Sequence, residues 1–81
     1  MVTYKKTVGA KYAGDLNVFV TFEDGTHGVF NFAPYVDYPC YSSLKSQSIF
    51  SLVKVDHGTL CWPNDIDIAP ESVWQGAIKT K

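Results

Sequence analysis

Leu16-Asn17-Val18-Phe19-Val20-Thr21-Phe22-Glu23-Asp24-Gly25-Thr26-His27-Gly28-Val29-Phe30-Asn31-Phe32 is the stretch that decides the fold. β-Branched and aromatic residues alternate with polar ones on both sides of an Asp-Gly pair, the pattern of two strands joined by a tight turn. Register follows from the side-chain faces, because a slip of one residue sends the buried set to solvent. A two-residue loop at Asp24-Gly25 pairs Val18 with Asn31 and Asn17 with Phe32, mixing polar and apolar partners on both faces. A three-residue loop, Glu23-Asp24-Gly25, with Gly25 left-handed in a bulge, instead pairs Leu16 with Phe32 and Val18 with Phe30. Leu16, Val18, Val20, Phe22, Phe30 and Phe32 then share one face. Asn17, Thr21, Glu23, His27 and Asn31 share the other, with Phe19 and Val29 opposed among them.

Working upstream, the even positions from Val2 to Tyr12 read Val, Tyr, Lys, Val, Ala, Tyr, which predicts a first strand ending in the turn residues Ala13-Gly14-Asp15. Downstream, residues 33–50 lose the alternation and carry Pro34, Pro39 and a Ser-rich stretch. Pro34 suits the first turn of a short helix through Tyr35 and Val36, and Ser42 or Ser43 suits the cap of another that carries Leu44. Phe50 to Val55 resumes strand character, turns at His57-Gly58 and returns through Leu60 and Trp62. A two-residue loop matches Val55 to Leu60 and Val53 to Trp62, leaving Lys54 and Cys61 together on the opposite face. After Pro63, Asn64 and Asp65 make a tight turn and Asp67 bonds local backbone. Pro70-Glu71-Ser72 opens a terminal helix, with Pro at its first position and Glu71 near its positive end. The expectation is one α+β domain over residues 1–81. It has a small, mainly antiparallel sheet of about five strands (two hairpins and an N-terminal strand), a central short-helix insertion and a short C-terminal helix.

Eighty-one residues, 46% apolar and 19% charged, leave room for one modest core. The formal charge is -1 and all seven basic residues are Lys. A chain without the Arg fork that reads guanine and grips phosphate has no electrostatic footprint for nucleic acid. Apolar runs such as Val18-Phe19-Val20 fall far short of a membrane span of about twenty residues. The start, Met1 to Lys6, has basic residues with no apolar segment behind them, so a cytoplasmic location is expected.

Catalytic groups are few. Cys40 and Cys61 lie far apart without a paired-cysteine motif and read as reduced thiols. His27 and His57 each flank a hairpin turn and read as solvated rim residues, and a Cys61–His57 nucleophile lacks a third, orienting residue. Asp65, Asp67 and Glu71 behind Asn64 are oxygen donors of the kind Ca²⁺ takes, yet Ile66 and Ile68 interrupt them and the spacing is not that of a calcium loop. The expectation is no enzyme, no metal and no cofactor. Two Trp, five Tyr and five Phe exceed what a core this small absorbs. Tyr35, Tyr38 and Tyr41, spaced by three, read either as packing of the insertion over the sheet or as a partner surface.

Val20-Thr21-Phe22-Glu23-Asp24-Gly25, Phe30-Asn31-Phe32-Ala33-Pro34-Tyr35, Ser43-Leu44-Lys45, Ile49-Phe50, Trp62-Pro63-Asn64 and Asp67-Ile68-Ala69-Pro70-Glu71 resemble, in this order, the bacterial domain-of-unknown-function family DUF2442. The Trp-Pro-Asn-x-x-Asp-x-x-Pro signature is the most specific part. Two departures stand out: Asp65 occupies a position where the family usually has Gly, and Val73-Trp74 replaces a usual Leu-Tyr. The resemblance implies a small α+β fold without established catalysis, found alone or joined to a helix-turn-helix unit, and in some members similar to the second partner of toxin and antitoxin-like gene pairs. With it, the leading expectation is a non-catalytic protein-interaction module, antitoxin-like or regulatory, whose partner is another protein and which touches neither nucleic acid nor membrane. The chain itself is expected to be a monomer or homodimer. The alternative is a small-ligand sensor with a pocket near Trp62 to Asp67. The residues singled out for a partner or ligand surface are Tyr35, Tyr38, Tyr41, Trp62, Asn64, Asp67 and Trp74.

Overall fold

The computed structural model describes residues 4–80. Seven strands run in the order β1 (Thr7–Tyr12), β2 (Asn17–Phe22), β3 (His27–Asn31), β4 (Lys54–Asp56), β5 (Thr59–Trp62), β6 (Ile66–Asp67) and β7 (Ile78–Thr80). A 3-10 helix, Pro39–Lys45, and the short helices α1 (Gln47–Phe50) and α2 (Pro70–Gly76) complete the chain. Instead of one sheet there are two, ordered β1-β2-β3-β7 and β4-β5-β6, and every pairing is antiparallel. The α+β class holds.

The β2–β3 hairpin has the three-residue loop and the register expected, with Val18 opposite Phe30 and Asn17 opposite Asn31. Gly25 sits at φ +89°, the left-handed geometry that glycine adopts without strain. The Phe22 N–H donates to the Thr26 carbonyl at 2.7 Å, and the Thr26 N–H donates to the Asp24 carboxylate at 3.0 Å. Val18, Val20, Phe22, Phe30 and Phe32 are buried. The second hairpin also has its expected register, Lys54 opposite Cys61 and Val55 opposite Leu60, with His57 and Gly58 both left-handed as a two-residue type I′ loop requires. Pro70 opens α2 with Glu71 in the first turn.

Four local expectations are corrected. Alternation in the first strand fails at a β-bulge between Thr7 and Gly9, which buries Thr7 and leaves Val8 exposed; the proposed start at Val2 lies outside the described residues. Pro34 to Val36 is a run of turns rather than a helix, and Phe50 closes α1 rather than opening a strand. Finally, β6 and β7 extend the sheets where no strand was expected. Gly28 lets β7 dock, since a Cβ there would overlap the Ile78 carbonyl. Asp65 is left-handed at φ +61° beside Asn64 at +70°. Among the described residues no helix is long and apolar enough to cross a membrane.

Candidate functional site

Phe32, the residue after β3, is the hub from which the site is built. Its ring lies 5.5 Å from Tyr35, 5.0 Å from Tyr41, 5.7 Å from Phe50 and 5.2 Å from Trp62. From Phe32 the backbone makes three successive turns. Tyr35 N–H donates to the Phe32 carbonyl, Tyr38 N–H to that of Tyr35, and Tyr41 N–H to that of Tyr38, at 2.9, 3.1 and 2.9 Å. A turn closed every third residue returns the tyrosines to one side, and their rings follow each other at 6.3 and 6.4 Å. Tyr35 and Tyr41 are half-buried against the core, whereas Tyr38 between them is 55% exposed. The ladder is thus anchored at both ends and presented in its middle.

The Tyr41 hydroxyl donates to the Asp67 carbonyl at 3.1 Å, joining the ladder to β6. Burial, then the nearby Cys40 and Asp67, push its pKa up, so it remains a phenol donor. Asp67 therefore offers its backbone to Tyr41 while its carboxylate is in an exposed residue beside two clefts. One, of about 360 Å³, is lined by Cys40, Tyr41, Asn64, Asp65, Ile66 and Asp67. The other, of about 240 Å³, lies across β6 and includes Lys54, Asp56, His57 and Cys61.

Tyr35, Tyr38, Tyr41, Asn64 and Asp67 are accordingly brought together. Trp62 is among the residues lining the second cleft but is only 2% exposed; its ring packs on Phe50 and Phe32, and its indole N–H donates to the Phe50 carbonyl at 3.0 Å. Trp74 lies on α2, its ring 4.8 Å from Phe22 and 4.6 Å beneath the Lys79 ammonium. Neither indole belongs to the exposed ladder: an aromatic residue's type does not reveal which side of a core it serves. Cys40 and Ile66 join the site without having been foreseen, because the two-residue strand that positions Ile66 has no alternation to betray it.

The Cys61 thiol is pushed up by burial and by Asp56 and Asp67 against the opposing pull of Lys54, which keeps it protonated and a poor nucleophile. The exposed His57 imidazole lies 3.2 Å from the Asp56 carboxylate. Among the described residues no group of three or more His, Cys, Asp or Glu side chains is arranged to hold a metal ion.

Two small antiparallel sheets, short helices and a tyrosine ladder that runs from Phe32 to β6 define a compact α+β domain. The chain belongs to the family described as "Protein of unknown function (DUF2442)", whose profile matches residues 7–79. No curated protein and no solved structure matches it.

Proposed function

We propose that this protein is a non-catalytic, cytoplasmic interaction module that engages another protein, in the antitoxin-like or regulatory role that some members of its family resemble, without binding nucleic acid or membrane itself. The observation that carries this reading is Tyr38, an exposed aromatic held between two anchored tyrosines. A ring already ordered in the free protein loses little entropy on binding, and Tyr is favoured where an apolar body and a polar tip are both used. Asn64 and Asp67 add polar groups at the rim.

Native mass spectrometry of the protein recovered from its own host under low-salt washing tests the proposal. The expected result is a stoichiometric second polypeptide that is lost in Tyr38→Ala while the circular dichroism spectrum is unchanged. Bare protein, or a partner retained by the variant, overturns it. The cleft beside Cys61 and Asp67 supports a second reading, a small-ligand sensor. That reading predicts a shift in Trp62 fluorescence with a small molecule and no co-purifying chain.

A further inference from the structure

The outer face of the four-stranded sheet carries a feature that the tyrosine site does not use. Cross-strand pairing aligns Lys11, Phe19, Val29 and Ile78 in one row across β1, β2, β3 and β7. Phe19 is 40%, Val29 37% and Ile78 77% exposed, so three apolar side chains stand side by side in solvent. The rows beside them hold Gly9, Thr21 and His27 on one side, and on the other Asn17 and Asn31, whose amides bond each other at 2.7 Å. Lys11 is the one formal charge in these rows.

We propose that this face binds a second copy of the chain, sheet against sheet, about a two-fold axis lying in the interface parallel to the strands. Three observations select that occupant. The face is self-complementary: amides and hydroxyls both donate and accept, and the axis lays Lys11 of one copy over Ile78 of the other, where its methylene stem covers the isoleucine and its ammonium stays at the rim. No like charges meet. The edges of the same sheet are poor alternatives, since the Thr7 N–H in β1 already donates to the Gly58 carbonyl at 2.9 Å and β7 is three residues long. The area also suffices. Four strands about 4.8 Å apart and about five residues long give a face of roughly 300 Å² in projection. With side-chain relief, two such faces remove on the order of 1,000 Å² of accessible surface, the lower bound for a specific interface.

An interface at that lower bound belongs with weak, transient associations, and self-association in the micromolar range is expected. Sedimentation velocity from roughly 1 to 500 μM spans that range. The expected result is a weight-average mass rising from 9.0 kDa toward twice that value, undiminished by added salt. Ile78→Lys and Val29→Lys, introduced singly at exposed positions and checked by circular dichroism, are expected to weaken association at least tenfold, whereas Tyr38→Ala leaves it unchanged. A wild type that stays monomeric throughout, a dimer indifferent to both lysine substitutions, or one abolished by Tyr38→Ala overturns the proposal.

Discussion

Residues 7–31 and residues 32–53 are stretches of similar length held by different means. In the first, three strands and two glycine-assisted turns satisfy one another's backbone groups, and the side chains decide only which face turns inward. In the second no ladder exists; turns and single helical coils follow one another, and Tyr35, Tyr41 and Phe50 are fastened by their rings to Phe32. The difference teaches where this molecule is vulnerable. The tyrosine ladder on which the proposed function rests sits on the half whose shape depends on side chains.

Phe32→Ala strikes that dependence most directly. Removing a fully buried ring costs about 3–5 kcal/mol, a large share of the roughly 4–12 kcal/mol expected for a domain of this length. Thermal melts should show a protein close to unfolding, and any folded remainder should lose the insertion before the β2–β3 hairpin. Attacking the ladder half instead, Gly28→Ala drives a Cβ into the Ile78 carbonyl and should cost about 1–3 kcal/mol. Here amide exchange should accelerate at residues 78–80 while the tyrosine ladder is untouched.

Smaller effects sharpen the contrast. Asp65→Gly relieves a left-handed non-glycine residue and should stabilise the protein by up to about 1 kcal/mol, read as a higher denaturation midpoint. Asp24 accepts the Thr26 N–H, which holds its carboxyl below the ordinary value of 3.8. A carboxyl lowered in the folded state stabilises it above the unfolded pKa, and that contribution fades as pH falls through the folded one. Stability should therefore decline below about pH 3.8, and Asp24→Ala should flatten that part of the profile in denaturant titrations.

Both hairpins were legible in the sequence because alternation and turn chemistry are local signals: Asp24-Gly25 and His57-Gly58 state where each loop falls, and the faces state its register. The same logic misled at Thr7 and Val8, where one inserted residue reverses the alternation without any mark in composition. Phe50 reads as strand because it is apolar and precedes one; its place at the end of α1 is set by Trp62, whose indole bonds its carbonyl from across the core. Strands of two or three residues, such as β6 and β7, contain too few positions to show a period. In the site, the spacing of Tyr35, Tyr38 and Tyr41 singled them out but left packing over the sheet and a partner surface both open. Trp62 and Trp74 carried no comparable sign, since burial is a property of the assembled fold.

The pairing of β3 with β7 has a consequence for synthesis on the ribosome. The β2–β3 hairpin is complete once Asn31 has emerged, but the free edge of β3 waits for Ile78 to Thr80, which come last among the described residues. Until then a strand with exposed Val29 offers unpaired amides and carbonyls to any neighbouring nascent chain. Closing that edge also demands a long loop, so it comes late in folding. The three residues of β7, modest in the finished structure, are what puts that edge out of reach of a neighbouring chain.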